Sequence, residues 1–170
     1  MRRFSLIVAC ALVMSLVCSV VARAASVQHP WSIGTGPSIR ISDEDSDFGY
    51  SSPWAAWLDY TFGDYSGLDW DVGGDYLWST TDDNNTSDWG IRVGVRTAQQ
   101  FYVLGDIGFD YLTDESSHIS GLGGDVGFGY NFNKNPNANG GLYLEAKYRF
   151  LPERNGANND SLGVGLGYRF

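Results

Sequence analysis

Cysteine is nearly missing from this chain. Cys10 and Cys18 are the only two in 170 residues, and both fall in the apolar N-terminal stretch. The remainder can therefore build neither a disulfide framework nor a cysteine metal cage. Positive charge is also scarce, with 11 Lys+Arg against 20 Asp+Glu and a formal net charge of −9. A chain this acidic lacks the basic patch that nucleic-acid binding needs. Long apolar runs are absent after the first two dozen residues, and so is helical periodicity. What is present is glycine, at 22 residues, and an aromatic content of 15%. That aromatic load argues against intrinsic disorder despite the acidity.

The one long apolar run is an address. Arg2 and Arg3 form a basic start, Phe4 to Val21 form the run, and Ala22-Arg23-Ala24 closes it as an A-x-A site. This order predicts a cleaved export signal of the Sec type over residues 1–24. The predicted mature chain, 25–170, has no cysteine. It carries eight basic residues against the same 20 acids, a net charge of −12.

The mature chain alternates with period two, the signature of strands. Between Gly67 and Trp78, one face carries Leu68, Trp70, Val72, Tyr76 and Trp78, and the other carries Asp69, Asp71 and Asp75. Asp88 to Thr97 sets Trp89, Ile91, Val93 and Val95 against Arg92 and Arg96. Phe101 to Tyr111 sets Phe101, Val103, Ile107, Phe109 and Tyr111 against Tyr102, Leu104, Asp106 and Asp110. Ser161 to Phe170 sets Leu162, Val164, Leu166, Tyr168 and Phe170 against glycines and Arg169. Trp54–Phe62, His118–Phe132 and Gly141–Phe150 follow the same template, and Trp31–Ser42, interrupted by Pro37, makes an eighth. Polar segments such as SDEDSDFGYSS, STTDDNNTSD, TDESS and PERNGANND separate them. The first, third, fifth and seventh connections carry nearly all the loop acids.

A half-buried soluble sheet also alternates, so the two faces must be told apart. The polar face is charged, and acidic strands neighbour basic ones. The predicted inward set is Asp59, Asp69, Asp71, Asp75, Asp106, Asp110, Asp125 and Glu145 with Arg40, Arg92, Arg96, Lys147, Arg149 and Arg169. The apolar face has aliphatics in strand middles and aromatics at strand ends, including Trp54, Phe62, Trp78, Trp89, Tyr130 and Tyr148. Aromatic girdles of this kind mark the two interfaces of a membrane. Strands can cross lipid only when the sheet closes, because every backbone group must pair internally. The predicted fold is all-β, a closed antiparallel eight-stranded up-and-down transmembrane barrel.

The chain ends GVGLGYRF, with Phe170 terminal, Tyr168 two before it and Gly165 three before that. This resembles the C-terminal strand signature of bacterial outer-membrane proteins, read by the barrel-assembly machinery. With the eight-strand pattern, the mature chain is similar to the small outer-membrane barrels of the OmpA/OmpX and opacity-protein type. The resemblance implies an outer-membrane location and contact with outer-membrane lipids and lipopolysaccharide. It also implies a monomer with both termini in the periplasm. The acidic loops would then face outward, available to an external surface ligand.

That family hosts several functions, so the candidates are weighed on residues. A structural or surface-interaction role through the acidic loops is the first reading. No cofactor is expected. A small ion or solute pore would use the inward charges, but eight-stranded barrels are narrow enough for side chains to fill. Arg92 and Arg96 are expected to pair with flanking Asp. A lipid A-modifying hydrolase is a third reading. His118-Ile119-Ser120 is similar to the His and Ser positions of outer-membrane lipid A deacylases, and i and i+2 share a strand face. Phe132 stands where an orienting acid would be sought, so enzyme activity is not expected. Asp43, Asp45 and Asp47 mimic the start of a calcium loop. Phe48 occupies the required glycine position and Trp54 the final glutamate position, which reads as a solvated acidic loop. Asp88 and Asp160 are counted among the outward loop acids.

Overall fold

The computed structural model describes residues 28–41, 53–65, 67–81, 84–113, 118–135, 140–152 and 160–170. The expected signal segment 1–24, the Asp43, Asp45 and Asp47 cluster, and most of the loop acids lie outside the described residues. The described chain is eight strands: β1 (Trp31–Arg40), β2 (Trp54–Tyr65), β3 (Leu68–Thr81), β4 (Asn84–Thr97), β5 (Phe101–Thr113), β6 (His118–Asn131), β7 (Gly141–Phe150) and β8 (Ser161–Arg169). Each pairs antiparallel with the next, and β8 pairs back onto β1 to close the barrel. The expected fold class is the observed one.

Alternation puts two different solvents on the two sides of one sheet. Outward, Ile107 is 75% exposed and Leu122 83% exposed. In water such a wall would aggregate, whereas in lipid it is solvated. Inward, Arg169, Asp69, Asp110 and Asp125 are buried. The core of this molecule is therefore its polar face.

Two local features depart from the sequence expectations, and a third, the interruption at Pro37, meets them. Phe62 is expected in the outward girdle but is only 7% exposed. The β2–β3 register jumps from Thr61↔Asp71 to Gly63↔Trp70, so Phe62 is the extra residue of a bulge and leaves the alternation. The β3–β4 hairpin also runs further than its apolar pattern, pairing Ser79↔Thr86, Thr80↔Asn85 and Thr81↔Asn84. The segment read as a loop is thus largely strand. Loss of apolar alternation marks where lipid stops, not where the ladder stops. Finally, β1 contains Pro37, and the β1–β8 register passes from Thr35↔Leu166 to Ser38↔Gly163 with no pair at Gly36 or Pro37. Proline has no N–H to give that ladder.

Candidate functional site

The lumen holds two tiers of polar side chains. The tier nearer the long loops is built from guanidinium and carboxylate groups. Arg92, from β4, sends Nε to Asp75 at 3.0 Å on β3. Its Nη1 and Nη2 donate to Asp110 on β5 at 3.1 and 2.6 Å. Arg149, from β7, donates through Nε and Nη2 to both oxygens of Asp125 on β6, at 2.8 and 3.0 Å. Its Nη1 reaches across the lumen to the second oxygen of Asp75. Asp75 thereby joins two arginines from opposite walls. Bidentate geometry of this kind is what a planar guanidinium supplies and an ammonium does not.

Asp106 and Asp125 stand directly opposite each other across the β5–β6 pair. Two like charges in that position repel. The backbone N–H of Asp125 donates to Asp106 at 2.9 Å, and Arg92 Nε lies 3.7 Å from Asp106. Gly90 on β4 leaves the room this crowding needs. A Cβ there would meet Asp75, Asp110 and Arg92.

The tier nearer the short turns mixes charge with aromatic rings. Arg96 pairs with Asp71 at 3.2 Å and donates to the Thr61 hydroxyl at 2.7 Å. Glu145 accepts from the Tyr102 hydroxyl at 2.6 Å and pairs with Lys147 at 3.0 Å. The Lys147 ammonium also lies 4.7 Å from the centre of the Trp57 ring. Trp57 Nε1 in turn donates to the Tyr143 hydroxyl at 2.9 Å. Gly165 and Gly34 lie directly against Trp57, and a side chain at either would collide with the indole. Asp59 sits 3.5 Å from the Ser32 hydroxyl, and Asp69 and Arg169 are buried at the turn end.

Little space is left between these groups. Among the described residues, two cavities lined by these groups have volumes of about 20 Å³ each, enough for about one water apiece. One lies among the charges of both tiers. The other lies beside Trp57 and reaches the Gly36–Pro37 stretch of β1.

The proposed site residues fall as follows. Every member of the inward set points into the lumen, and the ion pairs above bring most of them together. Arg149 to Asp75 is a cross-lumen pair that neighbouring-strand reasoning does not reach. Trp57, Tyr102, Tyr143 and Thr61 were missing from the charge-based set. Their signal was present, since each keeps the phase of the charged face of its strand. Two residues counted as outward loop acids are corrected. Asp88 is fully buried on the inward face of β4. Asp160 accepts from the Tyr148 hydroxyl at 2.6 Å and from the Leu151 N–H at 3.2 Å, so it ties down the start of the last connection. Both lie in a polar sequence context that signals solvent, yet the rim buries them. At the terminus, Gly165 packs under Trp57 and Tyr168 faces outward. Phe170 exchanges backbone hydrogen bonds with Trp31 at 2.8 and 3.1 Å.

His118 and Ser120 do share a face, but it is the outward one. They stand opposite Thr113 and Tyr111, and the His118 ring stacks on Tyr111 with centroids 5.8 Å apart. Among the described strand residues no carboxylate points outward to orient the imidazole, as Ser–His hydrolysis requires. No cluster of three or more metal-ligating side chains occurs among the described residues.

Comparison with known proteins agrees with this architecture. Solved structures of the same fold include Ail from Yersinia pestis, in complex with the heparin analogue sucrose octasulfate. It has a TM-score of 0.60 at 16% identity, covering 84% of this chain and 99% of that one. Neisserial surface protein A has a TM-score of 0.53 at 14% identity, covering 82% and 97%. The N-terminal β-barrel domain of Pseudomonas aeruginosa OprF has a TM-score of 0.53 at 11% identity, covering 82% and 97%. No curated protein matches the sequence. The family described as outer membrane protein beta-barrel domain matches residues 9–170. A closed barrel with an apolar wall, a charged lumen and a family match over nearly its whole length makes this chain a member of the outer-membrane protein β-barrel family, located in the bacterial outer membrane.

Proposed function

We propose that this barrel is a non-conducting outer-membrane protein that acts through its surface-exposed loops. The observation that carries the reading is the filled lumen, where opposed charges are paired and the cavities hold about one water each. An ion would have to break Arg92–Asp110 or Arg149–Asp125 to pass. A pore is therefore disfavoured. A lipid hydrolase is disfavoured by the outward His118 and Ser120 and their lack of an orienting acid. In this reading residues 1–24 are removed on export, the short turns face the periplasm, and Phe170, Tyr168 and Gly165 form the assembly signal.

The loops then define the partner. With Asp88 and Asp160 buried, the acids left for the outer surface are Asp43, Glu44, Asp45, Asp47, Asp82, Asp83, Asp114, Glu115 and Glu153, against Arg154 alone. A sulfated polyanion such as the one bound to Ail has the wrong sign for this cap. The expected partner is cationic or is bridged by divalent cations. The deciding experiment is a planar-bilayer recording of the refolded chain. The filled lumen predicts no stable conductance, and a reproducible single-channel step would refute the reading.

A further inference from the structure

Most strand glycines of this barrel make room for a neighbour within it. A Cβ on Gly34 or Gly165 would meet the Trp57 indole, and one on Gly124 would collide with the Asp106 carbonyl oxygen. Gly105, inside β5, has no such reason. The nearest atom to a Cβ there is the Asp125 carbonyl oxygen, 3.9 Å away, which is ordinary van der Waals contact. Its φ is not among the positive ones either. Glycine within a strand weakens the strand and marks a place where a ligand or another backbone comes close. Among the described residues nothing within the barrel crowds Gly105, so the close approach is made from outside.

On the outer wall Gly105 lies in a depression with a volume of about 480 Å³. Trp70 and Val95 wall it on one side, and Val126 and Phe150 on the other. Ile107, two residues along β5, stands at its edge and is among the most exposed side chains of the wall. Gly105 and Ile107 lie between the aromatic ends of β5, Phe101 and Tyr111, so the depression opens at hydrocarbon depth. Its occupant is therefore apolar and itself embedded in the membrane. Acyl chains are flexible and coat a smooth wall as readily as a dented one. A rigid partner with a projecting side chain is what needs the missing Cβ. Apolar walls gain no hydrophobic energy by pairing in lipid, so their association depends on close, shaped packing at small residues.

We propose that two copies of this chain pair in the membrane through this face, each placing Ile107 in the depression of the other. A second copy is selected because the projection and the depression adjoin on one face. A two-fold pairing brings the same patch against itself, so each patch must carry both the knob and the hole. Ile107 borders the depression that receives its partner's Ile107. The two isoleucines therefore come to lie side by side across the two-fold axis. The family resemblance implies a monomer, and this pairing departs from it while leaving each lumen unchanged.

The test is cross-linking with a membrane-permeant oxidant in outer membranes of cells that express the full chain. Ile107→Cys is expected to give a reducible dimer on a gel. The parent chain and Leu58→Cys, on the wall across the barrel, should stay monomeric. Gly105→Leu then fills the depression without an internal clash. Added to Ile107→Cys, it should lower the dimer fraction about tenfold, the effect expected of overpacking a close contact. The same change should leave the urea midpoint of the barrel, diluted in lipid vesicles, at or above that of the parent. Unaltered gel heat-modifiability verifies that each variant is folded. Absence of the Ile107→Cys dimer, an equal dimer from Leu58→Cys, or a dimer undiminished by Gly105→Leu overturns the proposal. A midpoint lowered by Gly105→Leu overturns it too, because the glycine would then serve the single barrel.

Discussion

The two tiers of the lumen solve one problem in different ways. Near the loops, charges are met by charges: Asp75 holds two arginines, Arg92 holds two carboxylates closely, and Arg149 spans the lumen. Near the turns, the ion pairs Arg96–Asp71 and Lys147–Glu145 are each backed by neutral groups. Tyr102 donates to Glu145, Thr61 accepts from Arg96, and Trp57 lies under Lys147. The difference predicts how each tier fails. Deleting a partner in the first tier strands a buried charge, as the loss of Arg92 strands Asp110 even though Asp75 keeps Arg149. Deleting one in the second removes a single hydrogen bond or contact and leaves others in place.

Arg92→Leu breaks the comparison most severely, because Asp75 and Asp110 lose a shared guanidinium at once. The expected loss is ~3–5 kcal/mol, the range for breaking a buried pair from one side. It is read as a lowered urea midpoint of the barrel folded into lipid vesicles. A midpoint equal to that of the parent would mean that water enters this tier freely. Gly165→Val comes next. Its side chain meets the Trp57 indole and the Thr35 carbonyl, and overpacking of this kind costs about 1–3 kcal/mol. The accompanying Trp57→Ala change should recover part of that loss, and a strictly additive double variant would show that the two do not touch. Tyr102→Phe is the mildest. Glu145 keeps Lys147, so the loss is about 1.5 kcal/mol, the low end for a hydrogen bond to a charged group. A loss as large as that of Arg92→Leu would erase the distinction between the tiers.

Much of this was legible in the sequence, for a simple reason. A membrane barrel has two solvents, so its period-two pattern is written twice, once in apolar residues and once in charge. The strand number, the closed topology and the inward positions of residues such as Asp71, Arg96 and Glu145 follow from that pattern. What was not legible depends on contacts that period two does not encode. Phe62 has the right residue type for the girdle, but one extra residue at a bulge takes it out of phase. Asp88 and Asp160 sit in polar sequence yet are buried, since the barrel rim buries backbone and side chains beyond the lipid boundary. The Arg149–Asp75 pair joins strands far apart in order, and only the narrowness of the ring brings them within reach.

The interruption at Gly36 and Pro37 bears on how the ring is completed. Seven ladders join strands consecutive along the chain, so each can grow from a hairpin. The eighth joins β1 to β8, where the Ser38 hydroxyl donates to the Leu162 carbonyl 124 positions away. Bringing such distant ends together carries the greatest loop-closure entropy of any pairing in the molecule. That ladder is also missing two rungs, and its last ones are the reciprocal bonds of Trp31 with Phe170. Phe170 is therefore a clasp, fastening the one join that locality does nothing to favour.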